Sequence, residues 1–268
     1  MSMPLSFRLA IVISRRTLGL LAAFFLSCAC SADNVQVAVA SNFAAPMTAL
    51  IDEFNKASGH TVRTSFGSSG KLYAQIINGA PFDIFFSADQ VKPKKLVDSG
   101  YAQAENLRTY AIGALVLLSN SAVDDPLEQL KSGHFQRLSL ANPKFAPYGI
   151  AALEVLKNLG LELETRNKRI FGENISQTFQ YVSSGNVDLG FVAWSQVKAL
   201  PLQQGQSLWR VPEHLSDSIT QDTVLLNRAK TNQAARAFFN FLQGSQAENI
   251  IRQHGYRVVK ELPTDKGS

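Results

Sequence analysis

The chain has 268 residues, 46% of them apolar and 18% charged, with 17 Gly, 10 Pro and only 2 Cys. This is a globular profile, long enough for one large or two modest domains, and it excludes disordered, collagen-like and disulfide-rich classes. Arg8, Arg15 and Arg16 lie in the first 32 residues, where no acidic residue occurs; without them 23 basic residues face 21 acidic ones, and the net charge falls from +5 to +2. A balance so even, with Lys and Arg dispersed, excludes a nucleic-acid footprint or a polybasic membrane patch.

Arg15-Arg16, the apolar run 18–26 and Ser27-Cys28-Ala29-Cys30-Ser31-Ala32 follow one another in the basic, apolar, small-residue order of a secretory signal peptide. The apolar run is too short for a membrane anchor, which needs roughly 20 residues. Residues 1–32 are therefore read as a cleavable signal and the mature protein as periplasmic. Ser14-Arg15-Arg16-Thr17-Leu18 has the form of a twin-arginine signal and Phe25-Leu26-Ser27-Cys28 is a poor lipoprotein box, so the export route stays open. Cleavage after Ala32 removes both cysteines, and with them any thiol chemistry.

From residue 33 short β-like runs alternate with longer helical ones, the pattern of an α/β protein with a largely parallel sheet. Strands are expected at 35–40, 61–66 and 83–86, with helices at 45–56, from Gly70 to Asn78, and at 91–99. After the apolar run 111–118 the alternation starts afresh, with a strand at 138–140, helices at 148–158 and 176–183, and a strand at 189–192. A last strand at 223–226 and helices at 232–242 and 245–254 have no partners of their own, so they return to the first unit. The expected organisation is lobe I at 33–110 and 223–262, lobe II at 111–222 and a frayed tail at 263–268. Two crossings, near Tyr110 and near Asp222, would permit hinge motion.

His60, His134, His214 and His254 show no metal-ligand spacing. Gly67-Ser68-Ser69-Gly70-Lys71-Leu72 fails as a phosphate loop, since Ser65 stands at the first glycine and Leu72 at the hydroxyl position; Lys71 also breaks a nucleophile elbow. No G-x-G-x-x-G follows the first strand. What recurs is a small or polar residue where a β-run yields to a helix: Ser41-Asn42, Ser68-Ser69, Pro147-Tyr148 and Asn174-Ile175-Ser176. Each helix start leaves N–H groups unpaired and carries about half a positive charge. Several such starts facing one cleft would hold an anion without Lys or Arg, whereas any one of them alone is ordinary N-capping.

With those junctions the sequence resembles the periplasmic molybdate-binding protein family of molybdate ABC importers over nearly the whole mature chain. The resemblance rests on 37–43 (Val-Ala-Val-Ala-Ser-Asn-Phe), 65–72 (Ser-Phe-Gly-Ser-Ser-Gly-Lys-Leu) and 79–89 (Gly-Ala-Pro-Phe-Asp-Ile-Phe-Phe-Ser-Ala-Asp). Asn142-Pro143 with Pro147-Tyr148-Gly149, 189–192 and 219–226 complete it. It implies a two-lobed class II solute-binding fold with two hinge crossings and a non-enzymatic, monomeric protein without cofactor. It also implies that molybdate, and tungstate with it, is carried to a membrane permease. Carried over by position, the oxyanion contacts are Ser41 and Ser69, through hydroxyl and N–H, and Tyr148 and Ile175, through the main chain, with no direct metal ligand. One branch of the family has a Tyr where this chain has Ala193; a second has Asn and Tyr at the positions of Asn42 and Tyr148, as here, so Asn42 is expected to supply a compensating donor. Trp194 would either shape the cleft wall or pack in the core. The alternatives are a sulfate or other oxyanion binder, and an exported hydrolase using Ser41 or Ser69, which would need a histidine base.

Overall fold

The computed structural model describes residues 34–199 and 205–259; the expected signal segment and polar tail lie outside these. Two five-stranded sheets organise the described chain. The first runs β2 (Thr61–Gly67), β1 (Asn34–Ala40), β3 (Ile84–Phe86), β10 (Ile219–Leu226), β4 (Ala102–Gly113). The second runs β7 (Arg169–Gly172), β6 (Leu138–Ala141), β8 (Leu189–Ala193), β5 (Leu115–Ser119), β9 (Ser207–Arg210). In the first, β1, β2 and β3 are parallel and β10 runs against both its neighbours; in the second, β6, β7 and β8 are parallel and β5 is the reversed strand. The result is two similar α/β lobes joined by a hinge.

Alternating strand residues feed opposite faces, which is why the central strands read as continuous apolar runs. On β1, Val35, Val37 and Val39 enter a core with α1 (Ala44–Ser58), α8 (Gln233–Phe241) and α9 (Ser245–Gln253), while Ala38 joins the opposite core with α2 (Ser69–Ile77) and α3 (Val91–Asp98). On β5, Leu115 and Leu117 pack towards α5 (Pro147–Asn158), and Val116 and Leu118 towards α6 (Ile175–Ser183) and α7 (Trp194–Ala199). A short α4 (Pro126–Ser132) is capped by Asp125, whose carboxylate accepts the Leu127 N–H at 2.8 Å.

The apolar run 111–118, read as one stretch, is split at Ala114: its first part ends β4 in lobe I and its second forms β5 in lobe II. The first crossing is therefore at Ala114 rather than near Tyr110. The second lies between β9 and β10 and ends at Ile219 rather than near Asp222. The polar residues Thr220 and Gln221 do not look like a strand in sequence, yet they pair with Ile112 and Ala111. β4 itself, β7, β9, α4 and α7 were not expected.

Candidate functional site

Four chain reversals converge on one place. β1 ends at Ala40 and turns through a short 3-10 segment, Ser41–Phe43, in which Ser41 and Asn42 are buried. Among the described residues, no turn, loop or cap hydrogen bond takes the amides of Ser41 or Asn42. At the start of α2 the Gly70 N–H is taken by the Phe145 carbonyl at 2.8 Å and the Leu72 N–H by the Ser68 carbonyl at 3.1 Å; of the remaining first-turn residues, Ser69 and Lys71, only Ser69 lines the cavity. The Ser69 hydroxyl accepts the Ala88 N–H at 2.9 Å, so its own proton stays available to donate.

Lobe II reaches the same result through main-chain amides. Pro147 opens α5 and has no N–H to give, so the first amide there is that of Tyr148. At α6 the Asn174 side chain accepts from Ser176 N and Gln177 N at 2.9 and 3.1 Å, and the unclaimed amide is that of Ile175. Ser41, Asn42, Ser69, Tyr148 and Ile175 all line one small cavity, together with Ser68 and Ala88, and no charged residue lines it. Of the larger recesses, those around Arg108 and Phe239 in lobe I take none of the five, whereas one beside the cavity is lined by Ser41 and Asn42 with Ser176, Ser195 and Gln196.

The lobes are in contact over this cavity. Besides Gly70 to Phe145, Ser176 Oγ donates to the Ser41 carbonyl at 3.2 Å and Ser195 Oγ to the Asn42 carbonyl at 3.0 Å. Lys71 and Glu173 form a half-exposed ion pair of 2.8 Å between α2 and the residues before α6. Gly70 is required for this approach: a Cβ there would sit 2.9 Å from the Phe145 Cα and 3.0 Å from its carbonyl oxygen.

Asn42 differs from expectation in one respect. Its side-chain amide donates to Gln221 Oε1 at 2.8 Å and to the Tyr256 hydroxyl at 2.9 Å, so both donors are spent inside the protein. Only its backbone N–H remains to stand in for a missing tyrosine. Ala193 is fully buried at the end of β8 and does not line the cavity. Trp194 packs against the apolar cluster of Val116 and Val192 and under Arg210, so it is not cleft wall. Sequence reasoning missed Ser68, whose hydroxyl is buried with no partner, and the polar cluster of Tyr110, Gln221 and Tyr256 behind Asn42. Ser68 was visible as part of a junction; Gln221 carried no local signal.

Burial pushes the phenols of Tyr110 and Tyr148 well above the ordinary tyrosine value, and that of Tyr256 to about 12, so all three are neutral at physiological pH. None of the four histidines lines the cavity; the imidazole of His254, for example, lies against the Ile250 carbonyl at 2.8 Å. None of the three cavity serines, Ser41, Ser68 and Ser69, has a histidine beside it in the cavity lining.

The family model of bacterial extracellular solute-binding proteins matches residues 35–257. The chain belongs to that family. It is 48% identical to a molybdate-binding protein of Azotobacter vinelandii over 88% of this chain and 94% of the relative, and 43% identical to one of Rhodobacter capsulatus over 84% and 89%. A solved periplasmic molybdate-binding protein of Azotobacter vinelandii superposes with a TM-score of 0.80 at 36% identity, covering 84% of this chain and all of that one. The sulfate-binding protein SubI of Mycobacterium tuberculosis shares the fold, at 15% identity and a TM-score of 0.68. The chain is thus an extracytoplasmic solute-binding protein of class II architecture, not an enzyme.

Proposed function

We propose that this chain captures molybdate, and tungstate equally, in the interlobe cavity and delivers it to the permease of an ABC importer, acting as a monomer after removal of residues 1–32. The observation that carries this reading is a cavity lined by helix-start residues and serines from both lobes, with no charged side chain among them. The N–H groups of Ser41, Asn42, Ser69, Tyr148 and Ile175 and the hydroxyls of Ser41 and Ser69 would surround the anion, with no carboxylate and no cation among the lining residues.

A fully deprotonated tetrahedral dianion has only acceptors to offer, so such a shell satisfies it. Hydrogen phosphate brings a proton that needs an acceptor, and a buried donor facing it is left unpaired at a cost of about 1–3 kcal/mol. Withdrawing a dianion from water is expensive. Charge-assisted hydrogen bonds of about 1.5–3 kcal/mol each, with three helix starts behind them, offset that cost. Because the donors are divided between lobes, only the closed form completes the shell, and ligand shifts the population towards closure. With no ion pair to either lobe, the anion is free to leave once the lobes part.

Sulfate is also proton-free, and a sulfate binder shares the fold, so size alone separates it from molybdate. Calorimetric titration of residues 33–268 with molybdate, tungstate, sulfate and phosphate tests the reading. Molybdate and tungstate are expected to bind alike, sulfate more weakly and phosphate not at all. Sulfate binding as tight as molybdate would sink the assignment.

A further inference from the structure

Gln221 is fully buried as the third residue of β10, two positions from the chain crossing. It faces an irregularity in the ladder: Gln221 pairs with Ala111 and Asp222 with Thr109, so Tyr110 is the extra residue of a β-bulge. Bulges re-aim side chains, and here the Tyr110 hydroxyl donates to Gln221 Oε1 at 3.0 Å. The same oxygen accepts from Asn42 at 2.8 Å. On its other side Gln221 Nε2 donates across the cleft to the Tyr148 hydroxyl at 3.3 Å. One carboxamide therefore joins two residues whose amides line the cavity, Asn42 in lobe I and Tyr148 in lobe II.

Gly113, the last residue before the first crossing, makes the space for this contact. A Cβ at that position would lie 2.1 Å from the Tyr148 hydroxyl oxygen and 2.6 Å from Gln221 Nε2. Both hinge strands thus contribute to seating the side chain whose own backbone faces the ligand.

We propose that Gln221 is a positioning residue that ties hinge closure to assembly of the anion shell. It rests on the cavity being the oxyanion site. When the lobes close, the Tyr148 hydroxyl leaves water and docks on Gln221. That docking sets the Tyr148 amide opposite the Asn42 amide, which the same carboxamide holds from behind. The bridge is neutral, so it adds no charge to compete with the dianion.

Tyr148→Phe is the informative variant, because it keeps the ring and the backbone N–H and removes only the hydroxyl. Molybdate titration, stopped-flow dissociation and small-angle scattering with and without molybdate are the readouts, on wild type, Tyr148→Phe, Gln221→Leu and the double variant. Each single variant is expected to bind molybdate roughly tenfold more weakly, with the loss in the dissociation rate and a smaller ligand-induced compaction. The double variant is expected to be no weaker than Gln221→Leu alone, since Gln221→Leu has already removed the bond that the Tyr148 hydroxyl makes to it. Single variants that bind and compact like wild type, or a double variant whose loss is the sum of the singles, overturn the proposal. A drop only in the melting temperature of the ligand-free protein, with dissociation unchanged, does so too. If Gln221→Leu does not fold, Tyr148→Phe decides alone. Wild-type protein that binds none of the four anions defeats the binding reading and the proposal with it; wild-type binding with unaffected variants defeats the proposal only.

Discussion

The two lobes present the same chemistry to the cavity by different means. Lobe I brings side-chain hydroxyls as well as amides, from Ser41 and Ser69, with Asn42 lining the same cavity. Lobe II brings amides alone, from Tyr148 and Ile175, and its specificity is encoded in what sits beside them. Pro147 has no N–H, and Asn174 takes the next two amides for itself. Half of the shell is thus written in residue identity and half in helix geometry. Substitutions should therefore damage lobe I through the named side chain, and lobe II only through the backbone path.

The largest expected effect comes from separating the halves. Gly70→Val places a branched side chain where even a Cβ is too close to the Phe145 backbone. Molybdate affinity should fall on the order of 100-fold, the equivalent of about 3 kcal/mol, by calorimetry. The ligand-free melting temperature should hold, because the contact is between lobes. Next come Ser41→Ala and Ser69→Ala, each removing one charge-assisted bond and weakening molybdate by roughly tenfold. Unchanged affinity in both would reject the lobe I assignments. Ile175→Val keeps the amide and should leave affinity within about twofold, while thermal unfolding registers the lost methylene at about 0.5–1.5 kcal/mol. A tenfold loss of affinity there would erase the contrast between the lobes.

The smallest effect concerns pH. No carboxylate, imidazole or cationic side chain lines the cavity, and burial holds the Tyr148 phenol neutral well beyond its ordinary value, so molybdate affinity should be flat from about pH 6 to 9. Folding stability should change only at the alkaline end. Tyr110, Tyr148 and Tyr256 hold their protons beyond the ordinary value of 10.0 when folded. The unfolded chain releases them first, so their contribution is complete below pH 10 and is lost as pH rises through about 12 for Tyr256. Denaturant unfolding across pH 8 to about 12 checks this.

The alternation of strands and helices was legible because the central strands are buried on both faces, as at Val35-Gln36-Val37-Ala38-Val39 and Leu189-Gly190-Phe191-Val192. β4 was missed for the converse reason. It is an edge strand whose Gln103, Glu105 and Asn106 border an outer recess, so its first half has no apolar run to announce it. Of the site, the helix-start junctions named the place, since an uncapped start is a local property. The exact division of donors was not local: Asn42 spends its side chain on Gln221 and Tyr256, 179 and 214 residues away along the chain. No pattern within a window of sequence carries that information.

Both cysteines stand at positions 28 and 30, and the body from Asn34 to Val259 contains no sulfhydryl at all. Its cohesion comes from apolar packing on two sheets and from hydrogen bonds, neither of which responds to redox poise. Reductant should leave its melting curve unmoved, and oxidants have no crosslink to make or scramble while it folds.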